Sequence, residues 1–334
     1  MTDLSRSPAL HLQVVEERWP IAGAFRIARG AKTEARVVVA TLRHGEHTGR
    51  GEAVPYARYG ETVEGVLADM TALSDDLARG LTREVLQTRL PPGAARNALD
   101  CALWDLEARM AGQRAWERAG FTRLDPVKTA YTLSLDTPAA MADAARAAAG
   151  RPLLKLKIGA PDDLDKVEAV RGAAPRTRLI VDANEALDID TLNRLAPEFA
   201  RLGVQMIEQP LPAGHDTALV DYRGPVPLCA DESLHSRAEL DACAGLYQAI
   251  NIKLDKTGGL TEALALRAEA RARGLMIMAG CMVATSLAMA PALLIAQGAE
   301  VVDLDGPLLL AKDRDPGLSF LGSMIEPPTT AVWG

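Results

Sequence analysis

The sequence predicts an α/β protein in which a parallel barrel follows a smaller N-terminal α+β domain. Two observations favour this fold. Over the first 120 or so residues, strand-like alternation gives way to helical periodicity, whereas from Val127 onward short apolar strands alternate with amphipathic helices. Strands separated by helices form parallel βαβ units, and eight such strands close naturally into a barrel. Because no Gly-rich dinucleotide-binding motif follows a strand, a doubly wound Rossmann sheet is the weaker alternative.

The N-terminal domain is expected to combine an antiparallel sheet with helices. Strand-like alternation is found at residues 10–15, 36–42 and 49–53. The polar segments 22–34 and 54–60 are predicted to be loops, where binding residues tend to lie. Apolar residues recur at helical spacing over 62–79 and 94–111, which predicts helical structure in both segments.

Eight short apolar segments are the expected strands of the barrel. They are residues 127–135, 153–158, 179–182, 205–208, 227–231, 249–254, 275–279 and 301–303. Charged residues lie at the ends of six of them, namely Lys157, Asp182, Glu208, Asp231, Lys253 and Asp303. The first five of these charges are 22 to 26 residues apart, about one β/α unit each. Since the carboxyl ends of barrel strands form the active site, these residues are interpreted as catalytic before structural.

Composition and charge favour a small-molecule ligand over a macromolecule. The net charge is −7 and no long run of Lys or Arg occurs, so neither a nucleic acid nor an anionic membrane is an expected partner. Residues 1–10 lack an apolar signal region, and the longest apolar stretch, near 292–296, is too short to span a bilayer. A cytoplasmic location is therefore expected, and a homo-oligomer is left open.

The cysteines are expected to be small buried residues in a reducing compartment. They form neither a C-x-x-C pair nor zinc-finger spacing, so no disulfide or structural zinc site is predicted. Cys229 lies on the same side of its strand as Asp231 and is interpreted as core packing. The four cysteines are Cys101, Cys229, Cys243 and Cys281.

Three carboxylates on consecutive strands predict a metal site. Asp182, Glu208 and Asp231 would repel one another unless a cation lay between them, and oxygen-only ligands suit Mg²⁺. The alternative is that each carboxylate caps the helix that follows its strand. Asn184 and Glu232 are better candidates for caps or for supporting contacts.

Three lysines are the predicted proton carriers and charge stabilisers. Lys155 and Lys157 share one face of the strand at 153–158, which would face solvent if the strand were simply amphipathic. In an eight-stranded barrel, strands two and six are opposed, which places Lys157 across the mouth from Lys253. Two amines on opposite sides of a substrate suit removal of a proton from one face and its return to the other. We expect burial and neighbouring cations to lower the lysine pKa, and Lys155 with Mg²⁺ to stabilise developing negative charge.

Several motifs together resemble the enolase superfamily, in its muconate-lactonizing subgroup. They are Lys155-Leu-Lys157, Asp182-Ala-Asn184, Glu208-Gln-Pro210, Ala230-Asp-Glu-Ser233 and Ile252-Lys253 with Gly258-Gly259. The resemblance implies a modified TIM barrel of (β/α)7β type over 121–314, with a capping domain over 1–120 on which a tail at about 315–334 packs. It also implies one Mg²⁺ per subunit and lysine bases acting through an enediolate.

The end of strand eight resembles that of the dipeptide epimerases. Asp303 and Asp305 point the same way, and the resemblance implies that they hold the free ammonium group of a dipeptide; the alternative is a solvated turn or helix cap. By the same resemblance, Thr132 and Cys281 map onto substrate-binding positions.

A basic residue of the first capping loop is implied to bind the side chain of a Glu substrate. Arg29 is preferred because a guanidinium fits a carboxylate in bidentate fashion, while Lys32 and Arg26 remain alternatives. All three could instead be solvated loop charges.

The predicted function is Mg²⁺-dependent epimerisation of L-Ala-D/L-Glu type dipeptides by two-base 1,1-proton transfer. The resemblance places such an isomerase in peptidoglycan peptide metabolism. The alternatives are another reaction of the subgroup, namely N-acylamino-acid racemisation, o-succinylbenzoate synthesis or cycloisomerisation, or a non-catalytic metal-binding barrel.

Overall fold

An antiparallel sheet of three strands opens the part of the chain that the structure describes. A computed structural model describes residues 10–334, so most of the N-terminal segment predicted to lack a signal region lies outside the described residues. The strands are β1 (His11–Ile27), β2 (Gly30–His44) and β3 (His47–Ala53), paired in that order.

The predicted loop at 22–34 is wrong, because most of this segment belongs to a long β-hairpin. Phe25 pairs with Lys32 and Ile27 with Gly30, so only a tight turn separates β1 from β2. The register of β1 shifts between Pro20 and Phe25. This bulge interrupts the alternation of side chains, which is why the sequence pattern indicated a loop.

Helices follow this sheet in the chain and pack against it or against one another. They are α1 (Val63–Ala72), α2 (Ser74–Ala78), α3 (Arg83–Arg89), α4 (Ala94–Ala111) and α5 (Ala115–Arg118), and a 3-10 turn spans Ala57–Tyr59. The predicted helix at 62–79 is divided at Leu73, whereas α4 has the predicted bounds. A Cβ atom at Gly51 would lie 2.1 Å from the carbonyl oxygen of Ala98, so glycine is required for α4 to lie directly on β3.

The predicted barrel is confirmed as a parallel sheet of eight strands in chain order. A short β4 (Val127–Lys128) precedes it. The barrel strands are β5 (Tyr131–Leu133), β6 (Leu153–Lys157), β7 (Arg178–Asp182), β8 (Val204–Glu208), β9 (Leu228–Ala230), β10 (Ala249–Ile252), β11 (Met276–Gly280) and β12 (Val301–Asp303). A backbone hydrogen bond of 2.7 Å from Ala130 to Val302 joins the two edges of the sheet.

The predicted first barrel strand, 127–135, is shorter than expected. Its first part is β4, which pairs with β14 (Met324–Ile325), and β14 pairs in turn with β13 (Phe320–Leu321). Only β5 belongs to the barrel.

Helices follow most of the barrel strands. They are α6 (Pro138–Ala147), α7 (Leu164–Ala173), α8 (Ile189–Arg201), α9 (Leu240–Cys243), α10 (Leu254–Thr257), α11 (Leu260–Ala272), α12 (Ser286–Ala296) and α13 (Gly306–Leu309), with 3-10 segments at Asp216–Asp221 and Arg237–Glu239. Within residues 10–334, no helix combines the length and apolar character needed to cross a bilayer.

The interior of the barrel is apolar at one end and charged at the other. Its apolar end is a separate buried cluster formed by Ala130, Leu153, Ile180, Met206, Cys229, Ala249, Met278 and Val301. Because side chains alternate along a strand, the next inward positions on β6 are Lys155 and Lys157. Buried charges therefore collect at the carboxyl ends of the strands.

The C-terminal residues contact the N-terminal half of the chain. Arg50 of β3 donates hydrogen bonds of 3.2 Å to the carbonyl oxygens of Ala331 and Val332. The indole of Trp333, only 1% exposed, donates to the carbonyl oxygen of Cys101 on α4.

Candidate active site

The three predicted metal-binding carboxylates lie side by side at the carboxyl edge of the barrel. Lys157 pairs with Asp182 across β6 and β7, and Asp182 pairs with Glu208 across β7 and β8. Asp231 directly follows β9. All three carboxylates are at most 1% exposed.

Lys155 connects these carboxylates to strand eight. Its Nζ lies 2.7 Å from Glu208 Oε2, 2.7 Å from Asp303 Oδ2 and 3.1 Å from Asp182 Oδ2. Burial alone would lower the pKa of Lys155, but these carboxylates raise it well above its ordinary value. Lys155 is therefore a fixed cation in the middle of the site.

The two opposed lysines each contact a different carboxylate. Lys157 Nζ lies 2.5 Å from Asp182 Oδ2, and Lys253 Nζ lies 2.6 Å from Asp231 Oδ2. Protein groups alone do not produce the expected lowering of the lysine pKa at Lys253. Although burial lowers its pKa, Asp231 and Glu208 raise it well above its ordinary value.

The donor set suits Mg²⁺, although the carboxylates face lysines. Within residues 10–334, no three His, Cys, Asp or Glu side chains are arranged to hold a metal ion. Asp182, Glu208 and Asp231 nevertheless present buried carboxylate oxygens from adjacent strands, which is the ligand chemistry of Mg²⁺. Glu208 Oε2 and Asp231 Oδ1 accept no well-directed hydrogen bond from the described residues, although a lysine nitrogen lies 2.7 and 2.6 Å away, respectively. These residues therefore fit the predicted ion.

The pKa values of Asp182 and Glu208 are shifted in opposite directions. Burial opposes ionisation of Asp182, but Lys157 and Lys155 hold its pKa below the ordinary value. Burial, followed by the charge of Asp182, raises the pKa of Glu208 to about 8. A cation bound beside Glu208 would compensate this cost of ionisation.

Asp303 and Asp305 both lie in the site, with different partners. Asp303 uses Oδ2 to accept from Lys155, while its buried Oδ1 has no hydrogen-bond partner among residues 10–334. Asp305 Oδ2 accepts a 2.6 Å bond from the backbone N–H of Thr132. Burial and the neighbouring Asp303 raise the pKa of Asp305 to about 7.

The basic residues of the hairpin formed by β1 and β2 differ in their contacts. Arg29 donates to Glu232 at 2.7 Å and to Glu185 at 3.0 Å. Arg26 pairs with Asp136 at an exposed position. Within residues 10–334, Lys32 forms no ion pair and lies 5.2 Å from the centre of the Tyr56 ring.

A cavity of about 460 Å³ lies over the barrel mouth. The predicted site residues that line it are Arg29, Lys32, Thr132, Lys155, Lys157, Asp231, Lys253, Cys281, Asp303 and Asp305. Asp182 and Glu208 lie in contact with Lys155. A substrate in this cavity would meet lysines from β6 and from the end of β10, on opposite sides of the barrel.

Sequence reasoning missed two buried residues of β10 and α10. Asn251 donates a 2.7 Å hydrogen bond to Glu208 Oε1, and Lys256 lies 2.6 Å from Asp231 Oδ1. A Cβ at Gly280 would lie 2.3 Å from Asn251 Oδ1, so glycine makes room for this amide. A lone amide in the apolar segment Ala249–Ile252 was the available signal for Asn251.

The chain matches two family models along most of its length. Residues 9–120 match the mandelate racemase / muconate lactonizing enzyme N-terminal domain, and residues 139–329 match the enolase C-terminal domain-like family.

Two characterised relatives are similar over nearly the whole chain. The L-Ala-D/L-Glu epimerase of Escherichia coli K12 is 49% identical, over 92% of this chain and 97% of its own. The N-acetyl-D-glutamate racemase of Pseudoalteromonas is 44% identical, over 89% and 95%.

Solved structures agree with these matches. One is an enolase family member from Agrobacterium tumefaciens, described as homologous to dipeptide epimerases and bound to sodium and L-Ala-L-Glu. It has a TM-score of 0.96 and is 54% identical, and the match covers 97% of this chain and all of its own. The dipeptide epimerase of Enterococcus faecalis V583, complexed with Mg and L-Leu-L-Tyr, has a TM-score of 0.88 and 26% identity, covering 96% and 97%. The chain therefore belongs to the enolase superfamily, with the N- and C-terminal domains of the mandelate racemase / muconate lactonizing enzyme type.

Proposed function

We propose that the chain is a Mg²⁺-dependent dipeptide epimerase acting on L-Ala-D/L-Glu type dipeptides. The E. coli relative with that activity supports the reaction. One observation in the site supports the choice of a dipeptide: Asp303 lines the cavity, and its buried Oδ1 has no hydrogen-bond partner in the part of the chain that the structure describes. A free ammonium group would satisfy that oxygen, since unpaired buried carboxylate oxygens are costly.

Lys157 and Lys253 are the proposed acid and base. In each direction one lysine, in its neutral form, takes the proton from the carbon beside the substrate's terminal carboxylate, and the other lysine, as an ammonium, returns a proton to the opposite face. Mg²⁺ held by Asp231 and Glu208 would offset the negative charges that raise the pKa of Lys253, so that its neutral form becomes accessible. The two side chains contact different carboxylates, so each has its own electrostatic partner.

Asp182, Glu208 and Asp231 are the proposed ligands of one Mg²⁺. When bound, Mg²⁺ would act as a Lewis acid toward the substrate carboxylate. Lys155 stabilises the negative charge that develops when the α-proton leaves, because its raised pKa keeps it an ammonium.

The remaining cavity residues are proposed to orient the dipeptide. Asp303 and Asp305 bind its ammonium, the Thr132 N–H fixes Asp305, and Cys281 borders the same end of the cavity. Arg29, the residue preferred from sequence, already bridges Glu185 and Glu232. We therefore propose Lys32 as the partner of a substrate Glu side chain.

A second candidate function is racemisation of N-acylated glutamate, as in the Pseudoalteromonas relative. Such a substrate carries no ammonium. It would leave Asp303 Oδ1 unpaired, so the dipeptide is favoured.

The domain division is also a proposal. The matches to separate N- and C-terminal models, at 9–120 and 139–329, support a capping domain over 1–120 and a barrel over 121–314. The contacts of residues 331–333 with β3 and α4 support the placement of the tail at 315–334. The cytoplasmic location and the role in peptidoglycan peptide metabolism stay predictions.

The function is tested by incubating the protein with L-Ala-L-Glu in D₂O. With Mg²⁺ we expect NMR to show deuterium at the Glu α-carbon and formation of L-Ala-D-Glu. After removal of divalent ions with EDTA, we expect neither the exchange nor the epimerisation. N-acetyl-L-glutamate serves as the parallel substrate. Absence of both exchange and epimerisation across a panel of dipeptides would overturn the proposal.

A further inference from the structure

Lys256 is a buried cation to which the proposed mechanism gives no role. Its side chain is 0% exposed, and it is not among the described residues that line the cavity. A buried ammonium is costly unless every N–H finds an acceptor. The role of Lys256 therefore depends on the groups that its ammonium contacts.

The partners of Lys256 are concentrated on one metal-ligand candidate. Its Nζ lies 2.6 Å from Asp231 Oδ1, 2.5 Å from the carbonyl oxygen of Asp231 and 2.9 Å from the carbonyl oxygen of Asn251. The two carbonyl oxygens accept hydrogen bonds from the ammonium group, and Asp231 Oδ1 lies at ion-pair distance from it. Since Lys253 contacts Asp231 Oδ2, the two oxygens of this carboxylate face different lysines.

The short helix that carries Lys256 is itself fixed. Arg96 of α4 donates to the carbonyl oxygens of Thr257 at 2.7 Å and of Gly258 at 3.1 Å, while Asn97 donates to Asp255 at 3.0 Å. All three contacts are buried. The position of Lys256 is thus set by the N-terminal half of the chain rather than by the substrate.

We propose that Lys256 is a positioning residue that holds Asp231 in the orientation from which this carboxylate fixes Lys253. The inference rests on the proposed function. Asp231 has to contact both the predicted metal ion and Lys253. The contacts of Lys256 with Oδ1 and with the backbone of Asp231 prevent the carboxylate from rotating. Lys256 does not reach the substrate and exchanges no proton with it.

The geometry gives this role an asymmetric signature. Lys157 lies against Asp182, which Lys256 does not contact, so only the lysine on the β10 side depends on Asp231. Loss of Lys256 should therefore slow proton transfer by Lys253 more than proton transfer by Lys157. A merely structural role would slow both together.

The test compares Lys256→Met, Lys256→Gln and Lys256→Arg with the wild type. NMR follows exchange of the α-proton in D₂O, in separate experiments that start from L-Ala-L-Glu and from L-Ala-D-Glu. Each variant is assayed at a saturating Mg²⁺ concentration, which is determined beforehand by calorimetric titration. In the Met and Gln variants we expect the ratio of the two exchange rates to change by about tenfold or more, with the ratio largely restored in Lys256→Arg.

A second measurement does not depend on activity. Crystal structures of the Met or Gln variant with Mg²⁺ should show the Asp231 carboxylate rotated, with Lys253 beyond hydrogen-bond distance. Equal slowing of both exchange rates, or an unmoved Asp231, would overturn the proposal. If the wild type exchanges neither isomer, the proposed function fails, and the position of Asp231 still tests the inference.

Discussion

Lys155 donates a 2.7 Å hydrogen bond to Oδ2 of Asp303, and this bond crosses β5 next to the point where the barrel closes. It ties the residue proposed to stabilise negative charge to the residue proposed to bind the ammonium group. Asp303 Oδ1 then remains for the substrate. Recognition of the dipeptide and stabilisation of its deprotonated form therefore share one carboxylate.

Replacement of Asp303 by Asn should separate dipeptides from N-acylated substrates. The variant loses a charge-assisted contact with the ammonium group, so kcat/KM for L-Ala-L-Glu should fall about 10- to 100-fold. Any turnover of N-acetyl-L-glutamate should fall much less, apart from what the weakened contact with Lys155 costs both substrates. Steady-state kinetics with the two substrates gives the comparison, and an equal relative loss would contradict the ammonium role.

Replacement of Lys32 by Met should remove preference for an acidic second residue. Lys32 is the cavity cation without an ion pair in residues 10–334, so kcat/KM for L-Ala-L-Glu should fall roughly tenfold while that for L-Ala-L-Gln stays nearly constant. Arg26→Met is the matched control, because Arg26 pairs with exposed Asp136. The assignment is wrong if the control shows the selective loss instead.

Gly51→Ala should destabilise the protein without touching the site. The new Cβ would lie 2.1 Å from the carbonyl oxygen of Ala98, so α4 must move from β3 at a cost of about 1–3 kcal/mol. Gly150→Ala is the control, since its Cβ would meet nothing within 4 Å. Urea unfolding measures both. Equal stability of the two variants would refute the close approach of α4 to β3.

The stability contributed by Asp255 should depend on pH. Burial raises the pKa of Asp255 to about 7, above the value of 3.8 expected in the unfolded chain. The folded state therefore binds this proton more tightly, and the resulting stability is complete below pH 3.8 and is lost as the pH rises through 7.

Asp255→Asn keeps an oxygen that can accept from Val54 and Asn97 but removes the charge. Relative to the wild type, the free energy of unfolding of the variant should increase by about 3 kcal/mol when the pH is raised from 5 to 8, because only the interval from pH 5 to about pH 7 contributes. Urea unfolding at the two pH values tests this. A difference between variant and wild type that does not change with pH would argue against a raised pKa.

The strand ends were predictable because local pattern and chemistry agree there. Lys157, Asp182 and Glu208 close apolar strands at regular spacing, and the structure pairs them in register on β6, β7 and β8. Buried parallel strands tolerate charges only where function requires them, so each residue was visible in the sequence.

What could not be predicted depends on contacts between distant segments. The hairpin at Phe25–Lys32 is stabilised by a partner strand, and its bulge hides the alternation. The chemistry of a guanidinium favours Arg29 as the partner of a substrate carboxylate, but Arg29 contacts Glu185 and Glu232 from loops of the barrel. The pKa of Lys253 rises rather than falls because Asp231 lies 2.6 Å away, a distance that no pattern encodes.

Two-base proton transfer is tested most directly by Lys157→Ala and Lys253→Ala, each given L-Ala-L-Glu and L-Ala-D-Glu separately in D₂O with Mg²⁺. The wild type should exchange the α-proton of both isomers. Neither variant should interconvert the isomers. Each variant should still exchange the α-proton of one isomer, and the isomer should differ between the two variants. Interconversion by either variant near the wild-type rate, or exchange of the same isomer by both, would contradict the account.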